Sequence, residues 1–475
     1  MSKITTKISS TPSTSSTPST IKSLAVITTH PIQYNAPLFR YLASIGKFNV
    51  KVFYTWGENS IQVYDPGFGK ERAWDIDLLH GYKHIFVNNV SKDPGSHHYK
   101  GIINPDLIVQ VTAFHPDAIL IYGWKFHSHL QLMRHFKRKI PIIFRGDSTL
   151  LDEQKEFSIK KWGRQQLLKW VYRHVDHALS PGLASDEYFL WVGLKPHQIH
   201  RARHAVDNER FMGEMVDGDW ELGTRNQESG ISDEYLEKRA LVWKKELGIS
   251  EDKKVFLFAG KFEPKKDPLL LIQAFKQLLQ KRSDIHLIMV GNGILEEQIK
   301  KEIYISQPPS TPSTPSTSFN LSQPLSTSLN FSQHPSTTST PSTPSTSLNL
   351  SQPPSTFPIS HLPFQNQSLM PIVYRLGDVF VLPSKGPGET WGLAINEAMA
   401  SGRPVIASDK CGGSSDLIKD GVNGYVFPAR DRGALSSIME RMLNDDTKRM
   451  GDHARQFILH FDYTDFAHVL KAILR

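Results

Sequence analysis

Cysteine is nearly missing from this chain: Cys411 is the single one in 475 residues. One thiol excludes an intramolecular disulfide, fits a reducing compartment and leaves nothing from which to build a thiolate metal site. Long apolar runs are missing too. No stretch reaches the roughly 18 consecutive apolar residues that a membrane-spanning helix needs. No apolar core of the signal-peptide kind precedes a cleavage site, so a cytoplasmic protein is the expectation. The chain also lacks any recognisable nucleic-acid-binding motif, so nucleic acid is not an expected partner.

A third absence is local. Residues 306–356 contain no Asp, Glu, Lys or Arg. They repeat a unit of about ten residues, seen in Ser316–Gln323, Ser326–Gln333 and Ser345–Gln352. The unit is too short and too rich in proline for a solenoid, and too poor in apolar residues to offset its ordering entropy. The same Ser-Thr-Pro vocabulary fills residues 8–20. We read 1–21 as a disordered tail and 306–356 as a disordered insertion, which costs little because closure entropy grows only logarithmically. The rest of the chain is long enough for two domains.

Charge is unevenly spread. Residues 21–205 hold 24 Lys and Arg against 15 Asp and Glu, and 14 of the 20 histidines. Residues 206–475 hold 29 basic against 32 acidic residues. The basic excess of +9 belongs to the N-terminal half, and offers peripheral contact with an anionic membrane face or a lipid-diphosphate. Solubility is the bland alternative. The basic patches, 134–139 and 155–173, do not resolve into one clean helical face. At 100° per residue Lys160 and Arg164 fall beside Val171, while Lys169 and Arg173 fall opposite.

What is present is alternation. Apolar runs at Ser23–Ile27, Val50–Tyr54, Ala118–Tyr122, Ile140–Phe144 and Asp176–Leu179 read as strands between helical stretches such as Asn35–Ile45. A second series runs through Lys254–Ala259, Ile285–Val290, Val379–Leu382, Val405–Ala407 and Tyr425–Phe427. Such alternation predicts parallel βαβ units. We expect an α/β protein of two Rossmann-like domains facing a cleft: 22–210, then a linker at 211–250, then 251–460. A last helix at 461–475 is expected to pack back on the N-terminal domain.

The segment Gly388-Glu389-Thr390-Trp391-Gly392-Leu393-Ala394-Ile395-Asn396-Glu397-Ala398-Met399-Ala400 carries the most chemistry. A strand precedes it and a turn, Ser401-Gly402-Arg403-Pro404, closes it. A loop feeding a helix N-terminus at the carboxyl end of a strand is an anion site in α/β sheets. Carboxylates there make sense if they take sugar or ribose hydroxyls while N–H groups take phosphate. Two acids eight residues apart also occur on many ordinary exposed helices, so the surrounding residues decide the reading.

This segment resembles the E-x7-E signature of retaining family-4 glycosyltransferases of the GT-B fold. The resemblance covers about residues 22–300 and 360–475. It implies Glu389 near the donor sugar, Glu397 on the nucleotide ribose, and Trp391, Gly392 and Leu393 at the phosphates.

Gly260-Lys261-Phe262-Glu263-Pro264-Lys265-Lys266 follows the first strand of the second series. Two cations five residues apart can stabilise a leaving diphosphate, although loop lysines are usually just solvated. The segment is similar to the family's G-R-L-x-x-E-K-G motif. Lys261 then stands at the Arg position, keeping charge but losing the bidentate fork, and Lys266 at the Lys position. Gly260 and Gly291, the latter in Gly291-Asn292-Gly293, are implied to line the nucleotide site, and Phe364-Gln365-Asn366-Gln367 to meet the base. Asp416 reads as a helix cap.

In the N-terminal half, His30 and Gln33 follow the first strand and are assigned to the acceptor or phosphate side. The resemblance implies a histidine near the reaction centre, for which His127 is the candidate catalytic residue and His129 its rival. Arg145-Gly146-Asp147-Ser148 also follows a strand and receives no role.

The expected function is a retaining glycosyltransferase using a nucleotide-diphosphate sugar as co-substrate, with a glycan or lipid-linked acceptor. No cofactor and no metal ligand are expected. The alternatives are a catalytically silent nucleotide- or glycan-binding scaffold on the same fold, or a phosphorylase or epimerase.

Overall fold

The computed structural model describes residues 21–60, 63–65, 70–72, 74–153, 158–213, 232–305 and 358–475. The expected disordered tail (apart from residue 21) and the whole expected insertion lie outside these residues.

Among the described residues the chain forms two parallel sheets and a small antiparallel hairpin. The first sheet contains β1 (Lys22–Thr28), β2 (Phe48–Tyr54), β5 (Lys83–Phe86), β6 (Ala118–Tyr122), β7 (Ile142–Arg145), β8 (His177–Ser180) and β9 (Ile199–Arg201). The hairpin pairs β3 (Val63–Asp65) with β4 (Lys70–Arg72). The second sheet contains β10 (Lys254–Ala259), β11 (Ile285–Val290), β12 (Ile359–Leu362), β13 (Val379–Leu382), β14 (Val405–Ser408) and β15 (Gly424–Phe427). Strand orders are β5-β2-β1-β6-β7-β8-β9 and β12-β11-β10-β13-β14-β15. The second is the order of a doubly wound dinucleotide-binding fold. Both sheets are buried on their two faces by helices, which is why strands such as β13 read as unbroken apolar runs.

Three short strands, β5, β9 and β12, escape the apolar-run reading. Each mixes basic or polar residues with apolar ones, and all three lie at sheet edges. Edge position tolerates that mixture because only one side is covered by a neighbouring strand.

The stretch expected as a linker is structured at both ends. Phe211, Met212 and Ala240 are buried in the same cluster as Val255, Ile395 and Ala398. The helix Asp233–Glu246 buries Leu236 and Ala240, four residues apart on one face. Its Asp233 receives the fully buried Arg375 guanidinium at 2.5 Å and Arg455 at 2.6 Å. These residues therefore serve the C-terminal core.

The last helix, Tyr463–Ile473, returns to the first domain. Phe466, Ala467 and Leu470 share a core with Leu24, Val26 and Leu38. Asp416 crosses the other way. Its carboxylate accepts from the Leu183 N–H at 3.1 Å, capping the helix Leu183–Trp191, and from Arg201 at 2.9 Å. In the basic patch, Trp170 sits against the Arg134 and Arg173 guanidiniums, while Trp162 is exposed. No helix among the described residues is long and apolar enough to cross a membrane.

Candidate active site

The strand order of the second sheet reverses between β10 and β13, so the loops after these strands diverge and leave a crevice. A cavity of about 480 Å³ opens there, between the two domains. That volume lies within the usual range of small-molecule sites.

The loop after β10 supplies Gly260, Lys261 and Lys266. The loop after β11 stacks directly on it. Gly260 donates to the Val290 carbonyl at 3.0 Å, and Phe262 to the Asn292 carbonyl at 2.9 Å. Gly291 and Gly293 have φ of 146° and 153°, and a Cβ at either would strike the backbone of Gly260 or Phe262. The Gly-x-Gly is therefore more than a tight turn: it lets the loops after β10 and β11 touch backbone to backbone.

The loop after β13 supplies Glu389. Its carboxylate is 8% exposed and meets the Lys266 ammonium at 2.8 Å, with Ser384 Oγ donating at 3.3 Å. Burial by itself would raise the Glu389 pKa, but the adjacent Lys266 charge outweighs it and the net shift is downward. For Lys266 burial pushes down and Glu389 pulls up, and the net shift is upward. Both groups are therefore charged at neutral pH.

Gly392, at φ 90°, turns the chain into the helix Leu393–Ala400. The first turn of that helix faces the cavity and carries no acidic residue. The N–H groups that open a helix, and its dipole, favour an anion there. One and a half turns in, Glu397 is 3% exposed. Tyr374 donates its hydroxyl to Oε2 at 2.5 Å, while Oε1 is buried with no hydrogen-bond partner among the described residues. Burial, the largest cause, raises the Glu397 pKa. Burial and then the Glu397 charge lift Tyr34 well above the tyrosine range.

Trp391 lines the cavity, but its indole is largely committed elsewhere. It is 3% exposed, donates Nε1 to Asn396 Oδ1 at 2.9 Å and packs beside the His204 ring. Asn396 in turn donates to the His204 carbonyl at 3.0 Å, tying this helix to the segment that leads out of the first domain.

The first domain contributes Gln33 and Tyr34 from the loop after β1, and Asp147 from the loop after β7. Asp147 Oδ2 accepts from the Thr390 hydroxyl at 2.7 Å, beside Glu389 in the chain. Asp152 accepts from the Gly388 N–H at 2.8 Å.

Of the predicted residues, Gln33, Gly260, Lys261, Lys266, Gly291, Glu389, Trp391, Gly392, Leu393 and Glu397 line the one cavity. His30 and His127 do not. His30 Nδ1 lies 2.8 Å from Thr29 Oγ1 and its ring meets Trp56 edge-on. His127 begins the helix His127–Phe136, with its ring edge-on to Tyr99 and Nδ1 buried with no hydrogen-bond partner among the described residues. Its rival His129 is fully buried, bonded to Thr55 and to the Gly123 carbonyl, with its pKa lowered by burial to about 4. His129 is a neutral core residue. The sequence reading missed Tyr34, Tyr374 and Asp147. Only Asp147 carried a signal, in the polar Arg-Gly-Asp-Ser run at a strand's carboxyl end.

Residues 241–307 and 359–457 match the family model of glycosyl transferases group 1. Lipopolysaccharide 1,2-N-acetylglucosaminetransferase of Salmonella typhimurium is 25% identical over 217 residues, 45% of this chain and 46% of that protein. D-inositol 3-phosphate glycosyltransferase of Corynebacterium efficiens is 27% identical over 221 residues, 45% of this chain and 42% of that protein. The chain thus spans about half the length of these curated relatives. Anabaena Alr3699/HepE in complex with UDP and glucose superposes with a TM-score of 0.57, at 15% identity, over 95% of this chain and 99% of that one. Sucrose-phosphate synthase of Thermosynechococcus elongatus gives 0.59 at 16% identity, over 95% and 98%. Part of the C-terminal domain thus matches the glycosyl transferases group 1 model, and the chain has the two-domain GT-B fold of these solved structures.

Proposed function

We propose that the protein transfers a sugar from a nucleotide-diphosphate donor to a hydroxyl of a glycan or lipid-linked acceptor, with retention of anomeric configuration. The observation that carries this reading is the convergence of Lys266–Glu389, the Leu393–Ala400 N-terminus and the open oxygen of Glu397 on one cavity.

In this reading Lys261, Lys266 and the helix N–H groups take the diphosphate. Glu389, held ionised by Lys266, accepts from donor-sugar hydroxyls. Glu397 Oε1 accepts from a ribose hydroxyl, which would supply the partner that this buried oxygen lacks. Asp147 stands on the opposite wall and takes an acceptor or sugar hydroxyl. The acceptor hydroxyl attacks the anomeric carbon on the face from which the diphosphate leaves. The carbon–oxygen bond to the phosphate breaks, the new glycosidic bond forms, and the acceptor proton passes to the departing phosphate oxygen. Fixed cations stabilise the charge growing on that oxygen, so the step is proposed to need no metal. The lipopolysaccharide and inositol-phosphate relatives support hydroxyl-rich acceptors.

A thermal-shift panel of UDP-, GDP- and ADP-sugars on wild type, Glu389→Ala and Lys266→Ala tests the donor site. One nucleotide stabilising only the wild type supports the assignment. A folded protein that binds none of them sinks it and favours a silent scaffold. Turnover with chelator present, and NMR of the product's anomeric signal, test the metal and retention statements separately.

A further inference from the structure

The loop that follows β5 lies apart from everything the proposed transfer uses. It is closed on itself. Asn89 Oδ1 accepts from the Ser91 and Ile103 N–H groups at 3.1 and 2.9 Å, and Asn89 Nδ2 donates to the Gly101 carbonyl at 2.9 Å. Gly95 N–H reaches the same carbonyl at 3.0 Å, and Ser91 Oγ donates to the Lys100 carbonyl at 2.7 Å. A Cβ at Gly101 would run into the Gly95 carbonyl, so the two glycines fix the closure.

This closed loop presents Asp93, His97 and His98 together. One ligand atom from each lies within 4.8 Å of the other two. Asp93 Oδ2 is 3.2 Å from His97 Nε2 and 3.2 Å from His98 Nε2. His98 Nε2 is also 3.0 Å from the Asp93 carbonyl, a bond that metal binding would replace. Two ligands at ~2.0–2.1 Å from a tetrahedral ion stand about 3.3–3.5 Å apart. Both imidazole–carboxylate distances therefore approach the spacing of neighbouring ligands on a single ion. The carboxylate is 72% exposed and the imidazoles 63% and 36%, so the ion has a path in and water can complete its shell.

We propose that the 89–103 loop binds one divalent transition-metal ion of the zinc class through Asp93, His97 and His98. Two imidazoles and one carboxylate suit zinc, cobalt, nickel or copper, whereas magnesium and calcium select oxygen ligands. None of the three side chains lines the donor cavity. The ion's role is structural: it staples the loop whose Tyr99 meets His127, at the start of the helix His127–Phe136.

The test uses the full chain without an affinity tag, stripped with chelator and dialysed. Titration with Co²⁺ is followed through its visible d–d absorption, with Zn²⁺ as competitor. One equivalent per chain is expected, displaced by Zn²⁺. Removing a residue that only hydrogen-bonds to a metal ligand typically weakens metal binding about 10–100-fold, so losing a ligand itself should cost at least about tenfold. That loss is expected in His97→Ala/His98→Ala and in Asp93→Asn, which keeps a hydrogen-bond acceptor should the double variant fold poorly. His135→Ala, an exposed histidine elsewhere, should bind as wild type does. Amide exchange across 89–103 should slow when Zn²⁺ is added. Equal affinity in wild type and the loop variants, no absorption bands up to millimolar Co²⁺, or unchanged exchange would each overturn the proposal.

Discussion

The two walls of the cleft are built by the same architecture and yet differ in how they are assembled. The C-terminal wall draws on the loops after β10, β11, β12 and β13, whose strands lie side by side in one sheet. Its charged groups are paired and buried, as Lys266–Glu389 and Tyr374–Glu397 show. The N-terminal wall offers Gln33, Tyr34 and Asp147 from loops distant in sequence, and it reaches the loop after β13 through the Asp147–Thr390 and Asp152–Gly388 bonds. In the proposed transfer the preorganised wall takes the nucleotide diphosphate and the sparser one takes the acceptor.

The largest expected effect strikes the preorganised wall. Lys266→Ala leaves the Glu389 carboxylate buried without its counter-charge, a loss of about 3–5 kcal/mol when a buried pair is halved. It also removes a fixed cation, worth about 10²–10³ in turnover by analogy with oxyanion donors. Chemical denaturation and steady-state rates check the two separately. Adding Glu389→Gln should recover part of the stability and none of the rate. The lowered Glu389 pKa gives this pair a pH signature. Its stabilisation is full above the ordinary glutamate range and is lost as pH falls through the lower folded value, and the Lys266→Ala protein should lack that acid limb.

Glu397→Gln comes next. It keeps the shape and the bond from Tyr374 but removes the charge-assisted bond proposed for ribose, worth about 1.5–3 kcal/mol. Calorimetry should show nucleotide affinity falling roughly ten- to a hundredfold. Stability should rise at neutral pH. The folded pKa of Glu397 is raised, so its ionisation opposes folding once pH exceeds the unfolded value. The gain should vanish in acid; a gain that persists there has another cause.

Asp147→Ala probes the other wall. We expect the acceptor KM to rise about tenfold, the cost of one ordinary to charge-assisted hydrogen bond, with nucleotide affinity within about twofold. Nucleotide affinity falling as much as acceptor binding would break the division of labour between the walls. His127→Ala is expected to have the smallest effect, within about twofold in kcat/KM, because its ring faces Tyr99 and does not line the cavity. A larger loss would restore the histidine to the reaction centre.

The C-terminal wall of the cleft was legible because its residues sit in short motifs whose strand context can be read directly. Lys254–Ala259, Ile285–Val290 and Val379–Leu382 occur as strands with the expected bounds. Each ends in a loop whose glycines and charges are contiguous in sequence. The histidines were not legible. His127 and His129 both follow an apolar strand, and no property of the residue type tells a cleft-facing ring from one turned into the domain. Fourteen histidines in 21–205 made such a coincidence easy. Tyr34 and Tyr374 were invisible because their role depends on burial against Glu397, from segments far apart in the chain.

The sequence by itself determined the parallel two-sheet architecture and most of the residues that the loops of the second sheet bring to the cavity. Alternating apolar runs and turn glycines act locally, so their consequences are written in the order of the residues. Tertiary structure alone decided which N-terminal side chains enter the cleft, that Glu389 is ionised by Lys266 while Glu397 is pushed the other way, and that residues near 211 and 240 serve the C-terminal core. Burial and charge pairing depend on what arrives from elsewhere in the chain, and no local pattern records that.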